Sequence, residues 1–386
     1  MTAATEGGSL WALVRAGVPP DPASVRRVAA DQEAVLGAGG ASRRATEIAG
    51  AVLGAGPLER LLALPGVTDV LVNGDGSVWI DRGGGLERTE VVVGGADDAR
   101  ALAVRLAGLA GRRLDDAAPY VDGTLPSGVR LHALLPPIAH GAAHLSLRIP
   151  RREPLTIARL QELGAVDDLL ARTLVALVER RLAYLVTGGT GTGKTTVLGA
   201  LLSAVAPDER LVVVEDVREL AVAHPHVVSL QGRARNVEGR GEVTLTDLVR
   251  QALRMRPDRL VVGEVRGAEV RELLTALNTG HEGGCGTVHA NSAGDVLARL
   301  EALGALAGMS REAVWSQACS GLDVIVHCQR SPRGRHVAEV AVIEPADGPP
   351  RVVTALRARP GGAGLQVEHG AGWDVLAARL DGVGAS

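Results

Sequence analysis

The chain has 386 residues, a formal net charge of −3 at pH 7, and 46% apolar and 22% charged residues. That length exceeds what one hydrophobic core usually serves, so two domains with short flanking segments are expected, and the near-neutral balance offers no whole-chain field to attract DNA or an anionic membrane. Phenylalanine is absent and tyrosine occurs twice, which leaves Val, Leu and Ala to fill the core and removes the aromatic platforms on which single-stranded nucleic acid stacks. The three cysteines, Cys285, Cys319 and Cys328, are too few and too widely spaced for a four-cysteine zinc site or a disulfide framework, and they fit a reducing compartment.

The opening segment lacks a basic end followed by a continuous apolar run, and no later window is apolar enough to span a bilayer. The expectation is a cytosolic chain whose membrane attachment needs a partner. Residues 1–55 are Ala-rich and helical in pattern, broken by "GVPPDP" and "GAGGAS"; they read as a helical appendage, either a docking element or a partly ordered arm. From "GVTDVLVNGDGSVWIDRGGGLERTEV" onward, short β-rich runs alternate with Asn-Gly, Asp-Gly and Gly-Gly turn signals. A helix from Asp97 to Ala110 follows, with Ala101, Val104, Leu106 and Leu109 as its apolar positions, and then strands through "VRLHALLPP" and "AAHLSLRIP". Residues 56–150 are therefore expected to form a small α+β domain, and 151–163, beginning in "PRREP", an interdomain linker stiffened by proline.

Residues 164–346 alternate helix and strand in the manner of an α/β domain. The near-continuous Val and Leu runs "LAYLVTGG", "ERLVVVED" and "RPDRLVVGEVRG" imply strands buried on both faces, in a parallel sheet with sites at its carboxyl edge. "TLTDLVRQALRM" carries a helix start at Thr244 with Asp247 at the reciprocal position, and Leu245, Leu248, Val249, Ala252 and Leu253 form one apolar face. "GLDVIVHCQR" and "RHVAEVAVIEP" read as a hairpin over "SPRG". Residues 347–386 read as a Gly-rich extension.

"GGTGTGKT" fits the phosphate-loop pattern at Gly188, Gly193, Lys194 and Thr195. Its glycines let backbone amides face phosphate oxygens, Lys194 can reach the β and γ phosphates, and the Thr195 hydroxyl can join a magnesium shell. The helix that follows, with Val197, Leu201, Leu202 and Val205 inward, places its positive end beneath the phosphates. Gly189, Thr190, Gly191, Thr192 and Thr196 complete the loop. In "LVVGEVRG", Gly263 stands where an aspartate is usual at such a strand end and Glu264 comes one position later, able to hold a magnesium water or polarise the attacking one. "VVVEDVREL" provides Glu215, Asp216 and Glu219, any of which could activate water. His281 and His289 lie in "NTGHEGGCGTVHANS", where each could sense phosphate, transmit its loss or pack structurally. Zinc is not expected there, since Cys285 and the two histidines have no obvious fourth donor.

The four segments "GGTGTGKTT", "VVVEDVREL", "LVVGEVRG" and "GCGTVHANSAGDVLARLEAL", in this order, resemble the Walker A, aspartate, Walker B and histidine boxes of the secretion and type IV pilus ATPases. The tight-adherence (Tad/Flp) pilus branch, including the conjugal transfer-associated ATPases of high-GC Gram-positive bacteria, is the branch most resembled, on "GVTDVLVNGDGSVWIDRGG", "RRLDDAAPYVDGTLPSGVRLHALLPP" and "GRGEVTLTDLVRQALRMRPDRLVVGEVRG". The resemblance implies a RecA-like P-loop ATPase domain behind the smaller α+β domain, a homohexameric ring, and ATP with Mg2+ bound between the domains near the neighbouring subunit. It implies as partners the inner-membrane platform proteins of a pilus system and, indirectly, pilin, while the acidic balance and the absence of phenylalanine argue against direct nucleic-acid contact. By the same resemblance Lys194 holds phosphates, Thr195 and Glu264 serve the metal, and Glu219 is the general base, supported by Glu215 and Asp216. His289 and His281 match the family's histidines. Arg113, Arg130 and Arg148 are candidates for phosphate charge compensation from the N-terminal domain, and Arg235, Arg240 and Arg266 for a role across a subunit boundary. Departures are Ile149 and Pro150 where a second arginine and a phenylalanine are commoner, the lack of a tetracysteine insertion, and a short region before residue 60. The alternatives weighed are a type IV secretion ATPase supporting conjugative transfer, a nucleic-acid translocase, and a non-catalytic scaffold.

Overall fold

The computed structural model describes residues 54–150, 153–233, 235, 240–280, 282–362 and 364–381. Most of the expected N-terminal appendage, the start of the linker, His281 and the last residues of the tail lie outside them. Two compact units meet in sequence at Pro150 and Arg151.

In the first unit a short helix, α1 (Glu59–Leu62), leads into strands β1 (Asp69–Val72), β2 (Ser77–Asp81) and β3 (Leu86–Val92), helix α2 (Ala96–Leu109), and strands β4 (Tyr120–Thr124), β5 (Arg130–Leu134) and β6 (His144–Arg148). They form one antiparallel sheet of order β3-β2-β1-β6-β5-β4. Period-two alternation sends one face of the sheet inward. Val70 pairs with Ile80 on one side and with Leu147 on the other, and Leu147 pairs in turn with Leu131, giving a buried apolar row across four strands. Helix α2 covers this row with Ala99, Leu102, Ala103, Leu106 and Ala107. That set follows the i, i+3, i+4 spacing of a single helical stripe, and it corrects the sequence-based face: Ala101 and Val104 are exposed and only Leu106 of the four expected residues is fully buried.

The second unit opens with α3 (Ile157–Glu162) and α4 (Asp168–Glu179), followed by β7 (Tyr184–Gly188), α5 (Lys194–Leu202), β8 (Leu211–Glu215), β9 (Val227–Gln231), α6 (Leu245–Ala252), β10 (Arg259–Val265), α7 (Val270–Leu277) and β11 (Cys285–Val288). Helices α8 (Val296–Leu306) and α9 (Arg311–Gly321) precede β12 (Val324–Ser331), β13 (Gly334–Glu344), β14 (Arg351–Pro360), β15 (Leu365–His369) and α10 (Trp373–Asp381). One sheet of order β15-β14-β13-β12-β7-β11-β10-β8-β9 joins all its described strands. From β9 to β12 every neighbouring pair is parallel, and from β12 to β15 every pair is antiparallel. Every residue of β7 and β8 is buried, because helices cover both faces: α3, α4, α5 and α10 contribute to one core and α6 to α9 to the other. Beyond Ala346, where the sequence offers only a Gly-rich extension, β14 and β15 prolong this sheet and α10 buries Leu376 beneath it.

Local chemistry sets several helix boundaries. Thr244 and Asp247 form the expected reciprocal cap, the Thr244 hydroxyl accepting from the Asp247 amide and the Asp247 carboxylate accepting from the Thr244 amide. Leu245, Leu248, Val249 and Ala252 are buried on the face so started. Thr156, Asp167 and Ser310 cap α3, α4 and α9 in the simpler way. None of the described helices is long and apolar enough to cross a membrane.

Candidate active site

Parallel strands end together, and their carboxyl ends gather what the intervening loops carry. Thr187 of β7 is registered with Val288 of β11, and Val288 with Val265 of β10. The phosphate loop after β7, His289 after β11, Glu264 near the end of β10 and Glu215 at the end of β8 therefore share one edge of the sheet.

The loop between β7 and α5 has glycine where the backbone needs it. Gly188, with φ at 149°, passes so close to β12 that a Cβ would lie 2.4 Å from the Cys328 carbonyl oxygen and 2.6 Å from Thr192 Oγ1. Gly191 and Gly193 take φ values of 71° and 97°, in the region L side chains avoid, and Gly193 is the N-cap of α5. Thr192 Oγ1 closes the turn by donating to the Gly189 carbonyl at 2.9 Å, and Lys194 Nζ donates to the carbonyls of Gly188 and Gly189, each at 2.9 Å. Lys194 is buried, which pulls its ammonium below the ordinary lysine value while Glu264 acts to hold it charged. Thr195 and Thr196 stand half-buried in the first turn, and Thr190 is exposed on the loop. Beyond its first turn helix α5 is apolar on every side: Leu198 and Ala200 are buried together with Val197, Leu201 and Leu202, so the helix is anchored in the core beside the sheet.

Glu264 sits at an irregularity of β10, where the register with β11 shifts between Val262 and Val265. Thr287 Oγ1 donates to the Gly263 carbonyl at 2.7 Å across this point. Such a bulge re-aims the side chain it carries. Glu264 Oε2 accepts from Arg266 Nη2 at 2.5 Å, and this bond, reinforced by the charges of Asp216 and Glu219, holds the Arg266 guanidinium above its ordinary value. Arg266 thus lies among three of the candidate carboxylates of its own chain.

Glu215 differs from its neighbours. It is buried, which raises its pKa above the ordinary carboxylate value, and its Oε1 accepts from the amides of Glu219 and Leu220 at 3.0 and 2.9 Å, which lowers it in part. The carboxylate is engaged in shaping the turn that presents Glu219, while Asp216 is exposed and Glu219 half-buried. A Cβ on Gly263 would lie 2.5 Å from Glu215 Cγ. Glycine at the usual aspartate position is therefore the space that Glu215 occupies. Gly263→Ala is expected to push Glu215 off its two amides, disorder the Glu219 turn and lower kcat for ATP hydrolysis by about 10- to 100-fold, on the scale of a displaced reacting group. A kcat within twofold of wild type would contradict this packing argument.

His289 follows β11 and is half-buried. Arg235 pairs with Glu242 at 2.7 Å and Arg240 is exposed. In the first unit Arg113 is paired with Asp115, and Arg130 and Arg148 face each other across β5 and β6.

Three features escape a reading of the sequence. Glu269, at the start of α7, is buried and its Oε1 accepts from the amides of Arg266 and Gly267 at 2.6 and 2.8 Å, fixing the turn behind Glu264; the acid two positions after Gly267 was its only signal. Thr187 and His327 are buried, registered neighbours on β7 and β12, and Thr187 Oγ1 and His327 Nδ1 lack hydrogen-bond partners. Burial lowers the His327 pKa, Lys194 adds to that, and Glu339 and Asp295 oppose it. Among the described residues no three His, Cys, Asp or Glu side chains form a cage for a metal. The donors present, a helix-start hydroxyl at Thr195 and the carboxylate of Glu264, suit a magnesium ion that takes most of its ligands from phosphate and water.

A family model described as type II/IV secretion system protein matches residues 52–339. A Mycobacterium tuberculosis protein whose name assigns it provisionally to conjugal transfer is 55% identical over 315 residues, covering 80% of this chain and 90% of that protein. The conjugal transfer protein TrbB of Rhizobium radiobacter is 36% identical over 286 residues, 72% of this chain and 84% of that one. Among solved structures, the ATPase DotB of Legionella pneumophila superposes with a TM-score of 0.54 at 19% identity, over 73% of this chain and 78% of that chain. The last likeness establishes the fold: a RecA-like P-loop NTPase domain behind a smaller α+β domain.

Proposed function

The chain belongs to the type II/IV secretion system protein family and is an ATP-hydrolysing P-loop NTPase, and from that premise we propose that it is a homohexameric motor powering conjugative transfer across the cytoplasmic membrane. The observation that carries the choice of process is the 55% identity, over most of both chains, to a protein named for conjugal transfer. In this reading the motor works at the inner face of the membrane, held there by membrane-embedded partner proteins rather than by a segment of its own. ATP and Mg2+ bind at the loop Gly188 to Thr196. Lys194 neutralises the β and γ phosphates, Thr195 and Glu264 serve the cation, and Glu219 activates water from a turn that Glu215 shapes. Arg266 offsets the carboxylate charge that would otherwise repel the nucleotide. His289 lies where loss of the γ phosphate can be felt, and Arg113, Arg130, Arg148, Arg235 and Arg240 remain candidates for charge compensation.

A second reading, assembly of a Tad/Flp-type pilus, is favoured by the segments "GVTDVLVNGDGSVWIDRGG" and "RRLDDAAPYVDGTLPSGVRLHALLPP". Neighbouring relaxase and coupling-protein genes would support conjugation, whereas genes for two multi-helix membrane proteins and a small pilin would support the pilus.

The motor reading is tested by phosphate release from wild type and Glu264→Gln across a protein concentration series, with oligomeric state measured alongside. Activity per subunit is expected to rise as the hexamer forms, and the substitution to lower kcat by about 100-fold or more, the scale of a lost transition-state charge contact. A fully active monomer would exclude the ring mechanism, and an unaffected variant would remove Glu264 from the reaction.

A further inference from the structure

Strand β12 runs on past the phosphate loop. Cys328 is registered with Gly188, the last residue of β7, and β12 continues to Ser331 before turning into β13. The turn is tight, Ser331 pairing with Gly334, and its arms carry Arg330 and Arg335 as a directly registered pair, with Arg333 in the turn. Side chains alternate along a strand. Cys328 and Val337 belong to the core that includes Val197 and Leu201 of α5, so Arg330 and Arg335, two residues further out on each arm, leave the sheet on the face where α5 starts. The distances agree: Arg335 Cδ lies 3.7 Å from the position a Cβ would take on Gly193, the N-cap of α5. The stem of Arg335 therefore covers the last glycine of the loop, and its guanidinium is within reach of the ground where Gly193 and Lys194 present their amides.

We propose that Arg335 is a nucleotide-contacting residue that holds a phosphate of the bound nucleotide from the hairpin side, opposite to Glu264 and Arg266. The inference rests on the reading of Gly188 to Thr196 as the nucleotide site and adds an element that none of the four sequence boxes contains. Lys194 supplies a point charge through the loop, whereas a planar guanidinium on a separate hairpin can take two oxygens at once and orient them. Arg330, beside it on the same face, adds positive field and keeps the approach to the loop favourable for an anion. The contact also ties β12 and β13 to the occupant of the loop, which gives the antiparallel half of the sheet a direct view of nucleotide state.

The test is titration of purified full-length protein with ADP and Mg2+, as a function of salt, for wild type, Arg335→Ala, Arg335→Met, Arg335→Lys, Arg333→Ala and Lys194→Ala, with thermal melts to show that each variant is folded. Loss of a charge-assisted contact predicts about tenfold weaker ADP binding for Arg335→Ala and a shallower salt dependence. Arg335→Met keeps the stem over Gly193 and is expected to be equally weak, Arg335→Lys to recover part of the affinity, and Arg333→Ala to bind as wild type. If Arg335→Met binds like wild type, the residue acts by packing and the proposal is overturned. If Arg335→Ala binds like wild type while Lys194→Ala fails, the proposal falls and the phosphate-loop reading stands. If Lys194→Ala binds ADP as wild type does, the loop reading falls and the proposal with it.

Discussion

Lys194→Ala is expected to lower kcat for ATP hydrolysis by at least about 100-fold while leaving the protein folded. The argument begins with where the ammonium is. Lys194 is buried, and Nζ bridges the carbonyls of Gly188 and Gly189, a geometry in which it can turn to phosphate oxygens without leaving the loop. Charge developing on a transferring phosphoryl group needs preorganised cations in a site with little water, and removing one such donor costs about 100- to 1000-fold in rate. The same substitution removes two hydrogen bonds from the loop, a loss of about 1 kcal/mol each in ordinary cases, which the apolar packing of α5 absorbs. Lys194→Arg is expected to fail as well, because a planar fork cannot replace a compact ammonium between two carbonyls. Phosphate release under saturating ATP, with circular dichroism to confirm folding, checks both. A kcat within threefold of wild type in Lys194→Ala would mean that the charge is supplied elsewhere.

Legibility followed the range over which each feature is determined. The phosphate loop could be read because its demands are local: positive φ at Gly191 and Gly193, a Lys inside the first turn, an apolar strand immediately before. The cap at Thr244 is local for the same reason. The face of α2 is hard to read from sequence because alanine lies on both sides of the helix, Ala99, Ala103 and Ala107 buried and Ala101 exposed, while its one valine, Val104, faces outward. Strand β14 is hard to read from sequence because its register with β13 shifts between Val340 and Ala341, which breaks the alternation that marks a strand. Gly263 illustrates the harder case. The sequence marks it as a departure from the usual aspartate, but only the pairing of β8 with β10 shows that Glu215 fills the place a side chain would take. No sequence motif contains Arg335; its place beside Gly193 comes from the hairpin register and the approach of its stem to that glycine.

Glu209→Ala is expected to destabilise the ATPase unit by about 3–5 kcal/mol, the cost of leaving a buried charge without its partner. Arg259, at the foot of β10, is 1% exposed. Its Nε and Nη2 donate to the two oxygens of Glu209 at 2.8 and 2.9 Å, and Nη2 also donates to the Val178 carbonyl at 2.8 Å. Gly283, with φ at 70°, leaves the room: a Cβ there would lie 3.0 Å from Nη1, which has no partner. The fork therefore joins the end of α4, the β8 approach and the β11 approach at the edge of the sheet opposite the loop Gly188 to Thr196. The Arg259 hydrogen bonds hold the Glu209 carboxyl below its ordinary 4.5, against the opposing effect of burial. A folded-state pKa below the unfolded one means that this stabilisation is present above about pH 4.5 and is lost as the pH falls through the lower folded value. Thermal melts at pH 7 should show Glu209→Ala lowered by about 10 °C, given roughly 2–4 °C per kcal/mol for a unit of this size. The double variant Glu209→Ala/Arg259→Met, which removes the stranded charge, should recover part of the loss. If the single variant melts within 2 °C of wild type, or the double variant is no better than the single, the pair is not what holds this edge of the sheet.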